Sequence, residues 1–257
     1  MVALLLLACT PAPDAPEELD ALVGYLYAHA MDEDDAALAA GGENLVAWMD
    51  SRLAETLEGY RVNNLDPEAL AALDGRERSA AGLLGAAVGH ESPHTPWTLA
   101  ASVALTSPLE RNPERALDYR RENEVGLECF VAETCDRMSF EAFSTSALPL
   151  GIEVESHVVQ RMRWFTLPDG GAAYIQSNFM VEPAEVSVGW LEVVAQYYAW
   201  VSVPHGDGSR NMIATWAETR LTGESVPESL GVDLAIGTMQ DDAATLDAWA
   251  SAHPPQR

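Results

Sequence analysis

The stretch from Gly89 to Trp97 contains His90-Glu91-Ser92-Pro93-His94. This is the spacing H-E-x-x-H, in which two imidazoles on one helix face hold a zinc ion and the glutamate works on its bound water. The chemistry needs a helix, because only there do residues four apart share a face. Pro93 stands in the last variable place. Inside a helix its ring would clash with the carbonyl of Gly89 and it would supply no N–H, at a cost of about 3 kcal/mol, and it pushes Ser92 out of helical space. The segment is expected to be a boundary between helices, with Ser92 as an N-cap, Pro93 opening a new turn and Glu91 in a loop. A zinc hydrolase at His90 and His94 is the least favoured functional reading; no metal ligand is assigned and no cofactor is expected.

Other reactive side chains give a similar answer. There is no G-x-S-x-G elbow, no P-loop and no G-x-G-x-x-G after a strand, so hydrolase, nucleotide and dinucleotide readings lack their motifs. His157 beside Glu155 and His205 before Asp207 could be drawn as acid–base pairs, but surface histidines beside acids are ordinarily just solvated. Asp32 to Asp35 lack the glycine and final glutamate of a calcium loop and read as a solvated turn or a helix start. Cys129 and Cys135, close in sequence, are expected to form a disulfide in an oxidising compartment.

That compartment is suggested by the beginning of the chain. Val2 to Ala8 are apolar and lead through Leu6-Leu7-Ala8 to Cys9, a pattern that resembles the bacterial lipoprotein signal, in which the cysteine is lipidated. The resemblance implies a lipid anchor on Cys9 in the cell envelope, and Thr10 after it suggests outer-membrane sorting. No basic residue precedes the apolar run. Residues 10–17, rich in Pro and Ala, read as a tether. The formal charge of −26, from 14 basic residues that are all Arg against 40 acidic ones, disfavours nucleic acid as a partner.

The elements that must position any site fall into two regions. Residues 18–125 read as mostly helical. Leu19, Leu22, Val23, Leu26 and Tyr27 form one stripe, and Leu45, Trp48, Met49, Leu53 and Leu57 a second. Gly41 and Gly42 are expected to stop a helix. Asp66 and Pro67 are expected to start one that runs on through Leu70, Leu73, Ala80, Leu83 and Leu84. From residue 126 to 252 the period changes to two. Ile152, Val154, Val158, Met162 and Trp164 alternate with Glu153, Glu155, His157, Arg161 and Arg163, and the turn at 168–171 leads into an antiparallel partner. The odd-numbered residues from Leu191 to Val203 form an unbroken apolar face. A last helix carries Val232, Ala235, Ile236, Met239, Ala243, Leu246 and Trp249 on one stripe, and 253–257 form a tail. The fold class is α+β, a helical region followed by a long-stranded antiparallel sheet closed by a C-terminal helix.

The order of "RMRWFTLPDGGAAYIQSNFMVEP", then "GWLEVVAQYYAWVSVPHGDGSRNMIATWAETRL", then a Pro-led terminal helix resembles the START and polyketide-cyclase-like helix-grip family over roughly residues 140 to 252. Where such domains frequently carry an Arg-Asp pair near the first long strand, this chain has Arg161-Met162-Arg163. The resemblance implies non-enzymatic binding of a lipid or other apolar small molecule between sheet and helix. The candidate lining is Met162, Trp164, Ile175, Phe179, Tyr197 and Val201, with Trp249 from the closing helix. The alternative is an anchored protein-interaction domain whose sheet and helices are solid core.

Overall fold

The computed structural model describes residues 14–76, 78–222, 224–225 and 228–256. The signal segment and Cys9 lie outside the described residues. The chain begins with two helices, α1 (Leu19–His29) and α2 (Ala36–Arg52). Then come β1 (Tyr60–Val62), the short α3 (Pro67–Ala71), β2 (Leu84–Ser92), α4 (Pro96–Leu105) and α5 (Pro108–Arg111). The next elements are β3 (Ala116–Val125), α6 (Leu127–Val131), β4 (Arg137–Leu148), β5 (Ile152–Thr166), β6 (Ala172–Met180) and β7 (Glu185–Val186). The long pair β8 (Leu191–His205) and β9 (Gly208–Leu221), then β10 (Glu224–Ser225), lead to the closing helix α7 (Glu228–Ala252). The described strands form one ten-stranded sheet in the order β1-β2-β9-β8-β6-β5-β4-β3, with β10 on β9 and β7 on β5, every pair antiparallel. This is the expected α+β architecture. No helix among the described residues is long and apolar enough to cross a membrane.

The hairpins follow from turn chemistry. Between β5 and β6 Leu167 N donates to Gly171 O at 2.9 Å, and Gly170 takes φ +89, a conformation that favours glycine. β8 and β9 pair out to His205 opposite Gly208, leaving a two-residue turn with Gly206 at φ +56.

Both faces of the sheet are covered. On one, the stripe Leu19, Leu22, Val23, Leu26 and Tyr27 of α1, with Leu38, Leu45, Trp48 and Met49 of α2, packs on Ile175, Phe179, Tyr197, Val201, Val203 and Trp216. On the other, α4, Phe130 of α6, and Met239, Ala243 and Leu246 of α7 pack on Met138, Phe140, Met162, Tyr174, Trp200 and Ile213. Arg163, expected on a polar face, is 1% exposed. It donates to Asp32 O at 2.5 Å and pairs with Asp35, so the acidic run before α2 clamps a buried guanidinium.

Three expectations for the first region are corrected. Gly41 and Gly42 lie inside α2 and do not end it. They are the close-approach points of that helix, since a Cβ on Gly41 would stand 2.7 Å from Leu26 and one on Gly42 2.7 Å from Leu167. The helix opened by Asp66, whose carboxylate does accept from Glu68 N at 2.7 Å, ends at Ala71. Leu73, Ala80 and Leu83, expected to continue it, lie in turns and coil, and from Leu84 the chain is β2, paired along its whole length with β9. Its Gly and Ala content imitates a helix because the strand is overlaid so tightly. Gly85 meets the Trp216 indole, and Gly89 meets Leu53 and Thr56. The sheet therefore crosses the expected division at residue 126, with β1, β2 and β3 contributed from upstream of it.

Candidate functional site

β2 settles the geometry of His90-Glu91-Ser92-Pro93-His94. On a strand, neighbours point to opposite faces, so Glu91 is exposed and pairs with Arg210 at 3.0 Å while His90 and Ser92 turn toward α7. His90 Nε2 lies 2.7 Å from Asp247 Oδ2, and Ser92 Oγ donates to Asp247 Oδ1 at 2.6 Å. His94 Nε2 stands 3.1 Å from Asp247 O and 3.0 Å from Ser251 Oγ. The helix boundary expected at Ser92 and Pro93 is a strand end. α4 starts at Pro96, four residues after the strand ends at Ser92, with Thr95 capping Thr98 N at 3.2 Å. The cluster fastens α7 to the sheet and leaves His90 and Glu91 facing apart. Among the described residues no group of three or more His, Cys, Asp or Glu is placed to hold a metal ion. Cys129 and Cys135 form the expected disulfide, closing the turn that carries Phe130.

The candidate lining residues do not converge. In the β5–β6 register Met162 faces Gln176 and Trp164 faces Tyr174, on the side of α7. Ile175 pairs with Val201 and Phe179 with Tyr197 on the opposite side, where all four are buried under α1 and α2. Trp164 donates from Nε1 to Phe130 O at 3.0 Å and stacks on the Phe130 ring. Trp249 stacks on His253 at 3.9 Å between centroids. The face expected to be unbroken from Leu191 to Val203 is interrupted by a bulge between Val193 and Ala195. The extra residue moves Val193 to the α7 side, opposite Thr219, while Ala195 onward pack against the N-terminal helices.

The space left open lies on the α7 side, between α7 and strands β5, β6 and β8. A cavity of about 340 Å³ is lined there by Val158, Gln160, Gln176, Tyr198, Trp200 and Leu246, among others. A neighbouring recess of about 310 Å³ shares Gln196, Tyr198, Thr238 and Asp242 with it and extends to Val193, Thr219 and Leu234. The lining alternates apolar and polar groups. Trp200 Nε1 donates to Asn211 Oδ1 at 3.0 Å, which holds the indole in place. Burial pushes the Tyr198 phenol well above its ordinary pKa, with the nearby Asp242 adding to the effect. Burial also raises the Asp242 carboxyl, against the opposing pull of Arg115, 3.7 Å away, and of Arg111. The Arg111 guanidinium is lowered by burial, and its Nη1 is occupied by Ser102 O, Thr106 O and Thr106 Oγ1.

Sequence reading missed Gln160, Gln176, Asn178, Gln196, Tyr198 and Trp200 because it took the most apolar face as the inward one. The signal was present in "IQSNFM" and "AQYYAWVS". There, amides and aromatics alternate with the pure apolar set, and their period of two assigns them to the opposite face.

No family model matches the chain, and no curated protein matches it. Among solved structures the chain is similar to a START superfamily protein from Mycobacterium smegmatis, with 12% identity, TM-score 0.41, and 65% of this chain and 97% of that one covered. It is also similar to a STAR-related lipid transfer protein fragment from Xanthomonas axonopodis, with 11% identity, TM-score 0.44, and 66% and 94% covered.

Proposed function

We propose that the protein is a non-enzymatic carrier or sensor that binds an amphipathic small molecule, lipid-like in its apolar part, between the sheet and α7, and that a lipid on Cys9 holds it at the cell envelope. The observation that carries the reading is the cavity itself. At about 340 Å³ it falls within the roughly 300–1,000 Å³ range of small-molecule sites. It also combines apolar walls, Val158, Trp200 and Leu246, with a few fixed polar groups, as such sites do. The solid core against α1 and α2 lies on the other face, so the cavity is not required for packing the sheet.

The anchor rests on Leu6-Leu7-Ala8-Cys9 and on the Pro- and Ala-rich residues 10–17. Asn44 Nδ2 donates to the carbonyls of Ala15 and Pro16 at 2.9 and 3.0 Å, so the tether proper is the shorter segment between Cys9 and Ala15, and one lipidated residue ahead of it keeps the fold at a membrane. The test is organic extraction of the full-length protein purified from bacterial envelopes, followed by mass spectrometry of the extract and of the N-terminal peptide. The proposal expects a small amphiphile in the extract and an acylated Cys9. An empty extract would refute the carrier reading, and an unmodified Cys9 would refute the anchor.

A further inference from the structure

Four carboxamides from the sheet line the cavity, Gln160, Gln176, Asn178 and Gln196, and two of them, Gln160 and Gln176, carry unmade groups. Gln160 of β5 stands opposite Asn178 of β6, and Gln176 of β6 opposite Met162 of β5, so both amides lie on the α7 face. Gln176 is 7% exposed. Its Nε2 donates to Asn178 Oδ1 at 3.4 Å, which orients the amide and leaves Oε1 as an acceptor; that Oε1 is buried with no hydrogen-bond partner. Gln160 Nε2 is a buried donor, also with no partner. Such groups are normally paired in folded proteins, because a polar atom withdrawn from water and left unmade is costly. Gln160 and Gln176 both line the cavity, and each carries one buried, unmade group, a donor on Gln160 and an acceptor on Gln176.

Resting on the reading of this cavity as a binding site, we infer that its occupant carries an uncharged head group that both donates and accepts, a hydroxyl in its simplest form. The hydroxyl accepts from Gln160 Nε2 and donates to Gln176 Oε1. A carboxylate has no proton to give Gln176 Oε1. An ammonium has no lone pair for Gln160. Arg111 and Arg115 line the same cavity, Arg111 with Nη1 on Ser102 O and Thr106 and Arg115 beside Asp242 at 3.7 Å, and neither supplies the proton that Gln176 Oε1 lacks. Val158, Met180, Trp200 and Leu246 then take the apolar body of the ligand.

The test uses a ten-carbon series on the full-length protein, followed by tryptophan fluorescence, since Trp200 lines the cavity. The probes are 1-decanol, its methyl ether, decanoate and decylamine. The ether can accept from Gln160 but cannot donate to Gln176. The alcohol should bind roughly ten-fold more tightly than the ether, acid or amine, the range expected when one buried hydrogen bond is made or left unmade. Gln176→Leu should bring the alcohol-to-ether ratio close to one, whereas Gln160→Leu should weaken both and preserve their ratio. Leucine at Gln160 removes an unmade donor, and leucine at Gln176 removes an unmade acceptor at the loss of the 3.4 Å bond to Asn178, so melting temperatures should change little; were one variant not to fold, the wild-type series and the other variant still decide. Equal binding of all four probes, or an alcohol preference that survives Gln176→Leu, would overturn the inference and leave the binding site standing. Binding of none of them would remove both.

Discussion

His90 on β2 and Asp247 on α7 stand 2.7 Å apart although 157 residues separate them in sequence, and Ser92 Oγ donates to the other oxygen of the same carboxylate at 2.6 Å. This joint fixes the C-terminal half of the closing helix against the sheet. Replacing Asp247 with Ala would leave two polar groups without their acceptor in a half-buried site. The expected loss is about 1–3 kcal/mol of stability, read from urea denaturation. Asp247→Asn, which keeps one acceptor oxygen, should lose less.

The close approach of α2 to the sheet is tested at Gly42. A Cβ there would stand 2.7 Å from Leu167 and 2.9 Å from Phe165. Gly42→Ala gains helix propensity but overpacks this contact, and the net expectation is a destabilisation of about 1–3 kcal/mol. Thermal unfolding measures it, and an unchanged or raised midpoint would contradict the packing described.

Asp242 gives the recess a pH signature. Burial raises its carboxyl above the ordinary carboxylate value. A group with a raised folded pKa holds its proton more tightly in the folded chain, so its contribution to stability is largest in acid. That contribution declines as pH rises from the unfolded value through the folded one. Asp242→Asn should abolish that decline and leave the protein as stable as wild type or more so at neutral pH. Denaturation curves between pH 4 and pH 8 for the two proteins decide it.

The Cys129–Cys135 bond closes a loop with a sequence separation of 6. Loop-closure entropy for so short a span gives it about 2 kcal/mol of stabilisation. The double variant Cys129→Ser and Cys135→Ser should show that loss in urea, together with quicker amide exchange around Phe130, whose backbone oxygen receives the Trp164 indole. Unchanged stability would mean that the turn is held by its packing alone.

Much of this arrangement was legible in the sequence, and the exceptions share a cause. The stripes of α1 and α7 and the hairpins at 168–171 and 205–208 follow from periodicity and turn residues. So does the α+β outline, and the helix-grip resemblance agrees with the order of the long strands and the closing helix. β2 was hidden because glycine and alanine, needed there for close packing by Trp216 and Thr56, carry no strand signal of their own. Pro93 correctly ruled out a helix, but nothing local showed that a strand would take its place and turn His90 toward Asp247. The cavity was misplaced for a related reason. Ile175, Phe179, Tyr197 and Val201 are so uniformly apolar because they make a dry core under α1 and α2. The cavity lies on the other face and is lined by the mixed set, Gln160, Gln176 and Tyr198 among them. Which face the N-terminal helices would cover is a long-range choice that alternation within one strand does not reveal.

The most direct test of the central claim is native mass spectrometry of the full-length protein beside a variant in which the space is filled. Thr238 of α7 lines both the cavity and the adjoining recess, so Thr238→Trp occupies the volume from the helix side. A small-molecule mass adduct on the wild type that is absent from a folded Thr238→Trp variant is the expected result. An adduct that persists in the variant, or wild-type protein carrying none after exposure to a mixture of bacterial lipids, would contradict a binding site between the sheet and α7.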